Sequence, residues 1–226
     1  MRSLRLAIHE YEIRHGDYHR PGTWIPTVSG RRFWLEDPRA DEVEPFDIAY
    51  GLARIPRFNG MTCGIPYVVG QHSVLASLLV ERRFALHGLL HDGHEYVSMD
   101  LTSPLKRILG PEYARVEARH KAAVAERFGL TWTYEATAAV KAVDNQLVAT
   151  EAVCLTPWGM LAGGLPAEPL GFPHLPLKPL PAAAVFVLFA ERLNELTGRE
   201  EIKLTSAHYQ AAENAHGCRA DCEIAV

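Results

Sequence analysis

RFALHGLLHDGHEYVSMD, residues 83–100, joins an apolar helical stretch to a run of side chains that bind metals and carry protons. The spacing predicts a helix over residues 83–92. His91 and Asp92 close it, and His94, Glu95 and Asp100 follow within nine residues. Adjacent residues point about 100° apart on a helix, but at a helix end both can turn toward one ion. An imidazole and a carboxylate together suit a divalent transition metal. Two ligands hold an ion poorly, so the reading requires partners from elsewhere in the chain.

Two residues stand out. His72 lies in VVGQHSVLASLLVE (68–81), a predicted helix whose other members are mostly apolar. It is either a core histidine with a hydrogen-bond partner or a ligand. Asp144 lies in VKAVDNQLVATE among Val140, Val143, Leu147 and Val148. A carboxylate on such a face is costly to bury unless it is paired or metal-bound.

The remaining chain predicts a mostly α protein. WIPTVSGRRFWLEDP (24–38) has two short aromatic or β-branched pieces about Ser29-Gly30 and predicts a small β-hairpin. FDIAYGLARI (46–55) begins the helical part, behind Asp41, Glu42 and Glu44. Further helices are predicted over 111–129, opened by Pro111 and stopped by Gly129, and over the stretch from Tyr134 to Leu155. Residues 156–181 contain seven prolines and no helix is expected there. A last apolar helix covers 182–198 and ends at Gly198. The expected organisation is an N-terminal extension (1–22), one helical domain (23–198) and a C-terminal tail (199–226).

The 226 residues allow one sizeable core. A net charge of −4 and the lack of a long basic run argue against binding a nucleic-acid polymer. No stretch approaches the roughly 20 apolar residues that span a bilayer. The N-terminus has no apolar run of signal-peptide length, so a cytoplasmic protein is expected. Four unevenly spaced cysteines, at 63, 154, 218 and 222, suggest reduced thiols rather than a disulfide framework. His216, Cys218 and Cys222 lack the fourth ligand a zinc site needs, and a loosely packed tail is expected there.

His72, His91-Asp92 and Asp144, in that order, resemble the H…HD…D pattern of the HD-domain metal-dependent phosphohydrolases. The segments TWIPTVSGRRFWLEDP, IPRFNG, YVVGQHSVLAS, LLHDGHEYVSMDLTSPLKRIL, PEY, ERFGL and VKAVDNQLVATE resemble one branch of that family. The branch contains bacterial 5′-deoxynucleotidases and phage-type deoxynucleotide triphosphohydrolases, and the likeness covers about residues 23–198. It implies an HD-type helical domain with one divalent ion (Co, Mn, Zn, Fe, Ni or Mg) on His72, His91, Asp92 and Asp144. Such an ion activates water for attack on a phosphate ester.

The resemblance also implies roles for other residues. Glu95 would do general acid/base work, and Asp100 would orient water or protonate the leaving oxygen. Lys106 and Arg57 would contact phosphate, and Phe58 would pack on the sugar or base. Branch members often have Trp where this chain has Phe58, so base and sugar preference stay open. Glu151 is either a partner of a metal ligand or part of a structural ion pair. His87 and His94 are expected to be ordinary packed histidines.

The expected reaction is hydrolysis of a deoxynucleoside 5′-monophosphate to nucleoside and phosphate, by a homo-oligomer. The alternative within the class is a triphosphohydrolase that releases triphosphate from a deoxynucleoside triphosphate. Cations beyond Lys106, such as Arg107 and Lys141, would bear on that choice. Two other classes stay open: a metal-dependent nucleotide sensor without turnover, and a structural helical domain with buried polar pairs.

Overall fold

The computed structural model describes residues 20–157, 159, 164–171 and 177–216. It is mostly helical with a small N-terminal hairpin, as the sequence predicts. Strands β1 (Trp24–Pro26) and β2 (Arg32–Trp34) pair antiparallel, with Ile25 opposite Phe33. Helices α1 (Pro45–Leu52), α2 (Val69–Leu79), α3 (Ala85–Leu90) and α4 (Glu95–Ser98) follow. Then come α5 (Ser103–Arg127), α6 (Tyr134–Leu155), α7 (Ala182–Thr197) and α8 (Ser206–His216).

The core gathers Phe33 from β2, Ile48 and Leu52 from α1, Val69 from α2, Leu89 from α3, and Val185, Phe189 and Leu193 from α7. The hairpin is bound to the helices at both ends. Asp47 of α1 accepts hydrogen bonds from the Ser29 backbone (2.8 Å) and hydroxyl (2.7 Å). His120 of α5 donates through Nε2 to the Leu35 carbonyl at 2.9 Å. Phe33 meets the rings of Tyr96 and His120 edge-on.

Several boundaries differ from the sequence reading. α1 stops at Leu52, short of Ile55, because the chain must turn extended before Pro56. The predicted 83–92 helix is a 3-10 turn (Arg82–Phe84) followed by α3, and His91 to His94 form a turn before α4. The helix expected from Pro111 is present, but a first segment from Ser103 precedes it. Gly110 joins the two at φ +73°, which permits the kink, and Pro111 opens the longer piece. Thr133 caps α6, its hydroxyl accepting from the Ala136 amide at 3.1 Å.

The 156–181 stretch carries no regular element among its described residues, and two of its parts are anchored. The Leu170 amide donates to Thr150 Oγ1 (2.8 Å). The Leu180 amide donates to Gln71 Oε1 (2.9 Å), while Gln71 donates to the Lys178 carbonyl (2.8 Å).

Beyond residue 198 the described chain stays packed on the helical body. Gly198 takes a left-handed conformation and reverses the chain. Ile202 then enters the core at 2% exposure, its backbone bracketed by the Asn194 side chain (2.8 and 3.0 Å). α8 packs on α7, with His208 against the Phe186 ring at 5.3 Å. The packed body therefore continues well beyond residue 198. Cys218 and Cys222, and residues 1–19 of the expected extension, lie outside the described residues. Within that extension Arg20 pairs with Glu42 and Asp37. Cys63 and Cys154 are free thiols.

Candidate metal centre

Gly88 sets the separation of α2 and α3. A Cβ there would lie 3.0 Å from the Ala76 carbonyl oxygen and 3.0 Å from Val80 Cγ1. Without one, the two helices approach closely enough for their histidine rings to meet. His72 Nε2 and His91 Nε2 are 3.2 Å apart. His72 Nε2 is 3.3 Å from Asp144 Oδ1, and His91 Nε2 is 3.1 Å from Asp92 Oδ2. The cross distances, His72 to Asp92 and His91 to Asp144, are both 3.9 Å. All four ligand candidates thus converge, from α2, the turn after α3, and α6.

The tautomers follow from the far side of each ring. His72 Nδ1 lies 2.7 Å from Glu151 Oε1, and His91 Nδ1 lies 2.8 Å from the Gly88 carbonyl. An ionised carboxylate and a carbonyl only accept, so each Nδ1 carries the proton and each Nε2 offers its lone pair to the centre. Two lone pairs and two carboxylate oxygens facing one point repel unless a positive charge lies between them. Ligand atoms about 2.0–2.2 Å from one ion are themselves about 3–3.5 Å apart, which matches the shorter distances here. His72, His91 and Asp92 form a cluster that could hold a metal ion, and Asp144 lies 3.3 Å from His72 Nε2 beside it.

Titration follows the same geometry. Burial opposes a charged His72 and Arg57 adds repulsion, but Glu151 and Asp144 outweigh both and push His72 up to about 9. Burial likewise opposes ionisation of Asp92, yet His91 beside it holds the carboxyl well below the usual range. Burial opposes ionisation of Asp144 too, and His72 depresses it in the same way. A proton or a dication can supply the positive charge the centre demands, and the two compete.

Glu151 resolves an alternative the sequence left open. It is fully buried and accepts from His72 Nδ1 (2.7 Å), Tyr67 Oη (2.9 Å) and Arg57 Nε (3.0 Å). It orients a ligand candidate and pairs an arginine at once. Burial alone would raise its pKa, but Arg57 and His72 bring it below the ordinary range.

A cavity of about 950 Å³ opens over the centre, lined by α5 on one side and α6 on the other. Arg57, Phe58, His91, Asp92, Glu95, Asp100, Lys106 and Asp144 all line it, whereas His72 lies behind its floor with no exposure. Arg57 is buried and anchored on Glu151, with Nη1 3.6 Å from Asp92. Phe58 and Asn59 both take left-handed backbone angles (φ +53°), an uncommon pairing that turns the chain sharply at the cavity wall. Met99 (φ +67°, ψ 159°) occupies a region few residues other than glycine adopt, and Asp100 follows it into the cavity.

Glu95 is 2% exposed, and its Oε2 is buried without a hydrogen-bond partner. Burial first, then the charges of Asp92 and Asp100, push its pKa well above the usual carboxylate range. Asp100 is raised too, mainly by burial. Lys106 is less free than expected. Its Nζ donates to Glu117 Oε1 (2.7 Å) and stands 3.7 Å from Glu95 Oε1, so it is held between two acids. Glu117 is brought down to about 2 by His94, which donates to it at 3.2 Å, and by Lys106, against its partial burial.

His87 and His94 lie outside the four-residue centre. His87 donates to the Thr131 carbonyl at 3.1 Å. His94 is buried beside Glu95 and Glu117, a trio compact enough to be a second candidate cluster, although the Lys106 ammonium already sits on Glu117.

Arg107, Lys121, Lys141 and Trp132 also line the cavity. Glu117, Lys121 and Trp132 escaped the sequence reading. Glu117 and Lys121 look like an ordinary i,i+4 surface pair. Trp132, exposed between two threonines ahead of a helix cap, was the one available signal.

The fold and this centre define a mostly helical protein with a candidate His/Asp metal site at the floor of a large cavity. No family model matches the chain. The uncharacterized protein YfdR of Escherichia coli (strain K12) is 36% identical over 180 residues, 77% of this chain and 96% of YfdR. The uncharacterized protein RCAP_rcc00048 of Rhodobacter capsulatus is 40% identical over 139 residues, 57% of this chain and 71% of that protein. The chain belongs to the same family as these two proteins. No described helix is long and apolar enough to cross a membrane.

Proposed function

We propose that the protein is a metal-dependent phosphohydrolase of the HD-domain type, acting on deoxynucleotides in the cytoplasm. Its favoured reaction is hydrolysis of a deoxynucleoside 5′-monophosphate to nucleoside and phosphate. One observation carries the reading: two imidazole lone pairs locked toward each other at 3.2 Å, with two carboxylates beside them, at the floor of a cavity lined by acids and cations. The donor set suits Mn, Co, Fe, Ni or Zn better than Mg, which favours oxygen ligands.

When bound, such an ion supplies Lewis acidity toward the phosphate and lowers the pKa of water. The chain's own groups do the rest. Arg57, its Nε fixed on Glu151, keeps its remaining N–H groups for phosphate oxygens. As water oxygen bonds to phosphorus and the P–O5′ bond breaks, the leaving oxygen needs a proton. Glu95 is suited to supply it, because burial and two neighbouring acids disfavour its charge and raise its pKa. Lys106, at 3.7 Å, balances Glu95 when that proton has left. Asp100 also lines the cavity and suits orientation of water.

A triphosphohydrolase reading is favoured by one feature, the presence of Arg107, Lys121 and Lys141 on the cavity wall beyond Lys106. The test incubates purified protein with Mn or Co and each deoxynucleoside mono- and triphosphate, and resolves phosphate from triphosphate. Phosphate from monophosphates supports the favoured reaction, and triphosphate release supports the second. Tight nucleotide binding without turnover identifies a sensor, and the lack of metal binding refutes the whole reading.

A further inference from the structure

The cavity extends well past the metal centre, and its far end has a composition of its own. On α6, Thr137 lies seven residues before Asp144, which is about 10 Å along the helix axis. The cavity-facing residues of α6 between them are Val140 and Lys141, and on the α5 side Ala118, Ala122 and Ala125 line the wall together with Lys121 and Val124. Alanines at three of those positions leave room beside Lys121 and Lys141. Trp132 lines the same cavity, just before the chain enters α6.

The Trp132 ring is fixed in place. His87 meets it edge-on, with centroids 5.0 Å apart and planes at 87°. His87 is itself held by its hydrogen bond to the Thr131 carbonyl and by the Phe84 ring, also edge-on at 5.9 Å. One perpendicular ring cannot cover both faces of the indole, and the residue is 37% exposed. His87 precedes His91 by one helical turn, about 6 Å along the axis. The indole is thereby tied to the helix that leads into His91.

We propose that Trp132, positioned by His87, is the stacking platform for the nucleobase of the substrate. The cavity, at about 950 Å³, has room for a flat heterocycle between the alanines of α5 and the α6 face. This assignment rests on the phosphohydrolase reading for its substrate, while stacking of a base on Trp132 can be measured without turnover. A single face-on platform discriminates little among bases, because every base has a π face. It favours purines through area alone.

The test compares wild type, Trp132→Ala and Trp132→Phe in two measurements. The first is steady-state hydrolysis of 2′-deoxyadenosine 5′-monophosphate and of 2-deoxyribose 5-phosphate, which has no base. The second is calorimetric binding of 2′-deoxyadenosine, which has no phosphate to lose. Trp132→Ala should raise KM for the nucleotide about tenfold to hundredfold with kcat little changed, the loss expected for one stacked base. It should leave the base-free substrate within about twofold of wild type and weaken 2′-deoxyadenosine binding by the same factor as the nucleotide. Trp132→Phe should recover most of both losses. Equal losses on both substrates, or equal 2′-deoxyadenosine affinity in wild type and Trp132→Ala, would overturn the proposal. If wild type hydrolyses neither substrate, the phosphohydrolase reading fails, and the binding comparison still decides the platform.

Discussion

Replacing Glu151 by Gln tests how far the centre depends on a residue that cannot touch the ion. The substitution keeps the shape and removes the charge. Glu151 accepts from three donors at 2.7, 2.9 and 3.0 Å, namely His72 Nδ1, Tyr67 Oη and Arg57 Nε. A glutamine has one acceptor oxygen and an amide that only donates. At least one buried donor must lose its acceptor, and Arg57 loses its nearest counter-charge. An orphaned buried donor costs about 1–3 kcal/mol, and breaking a buried ion pair about 3–5 kcal/mol. The two overlap within one network, and Asp92 at 3.6 Å still partly compensates Arg57. The expected loss of folding stability is therefore about 3 kcal/mol, the lower end of the buried-pair range. Metal affinity should fall about tenfold to hundredfold, because His72 is no longer held with its Nε2 lone pair toward the centre. Denaturant unfolding in EDTA reads the first quantity, and Mn calorimetry reads the second. A variant that loses less than about 1 kcal/mol and binds Mn as wild type does would refute the assignment of Glu151 as the orienting partner.

Gly88→Ala should cost about 1–3 kcal/mol by overpacking, since the new methyl meets the Ala76 carbonyl at 3.0 Å. It should also weaken metal binding by separating α2 from α3; thermal melts with and without Mn check both effects. With metal removed, the raised His72 pKa stabilises the fold fully below about 6.5, and that contribution is lost as pH rises through about 9. Denaturant unfolding of the EDTA-treated protein from about pH 6 to 10 should record the decline, while metal affinity should rise over the same window as the competing proton leaves. His91→Ala and Asp92→Ala should each abolish metal binding and activity together, whereas Glu95→Gln should bind metal normally and lose about 10²-fold or more in kcat; normal turnover by Glu95→Gln would exclude its proton-transfer role.

Much of the helical framework was legible because it is local. Pro111 and Gly129 bound the longer part of α5, the hairpin turns at Ser29-Gly30, and Gly198 ends α7, each from chemistry confined to a few neighbouring residues. The Ser103–Leu109 segment and α8 were not legible. The first is short and exposes Leu105, Ile108 and Leu109, and the second is polar on most positions, so neither carries a clear core-facing pattern. Lys106 shows the limit for site residues. Its place beside the acids was inferred, but its tie to Glu117, eleven residues on, required the kink at Gly110 to fold α5 back over Glu95.

The sequence by itself determined which residue types could serve as ligands and most of the helices that present them, because apolar spacing along a helix is a local pattern. Tertiary structure alone decided that His72 and His91 aim their Nε2 lone pairs at one point. The acceptor that orients His72 lies 79 residues away, and the close approach that joins the rings depends on the missing side chain at Gly88. The same holds for Trp132, whose ring is set by His87 from another helix. Orientation of this kind is settled by hydrogen bonds and ring contacts between segments remote in the chain, and no local pattern encodes it.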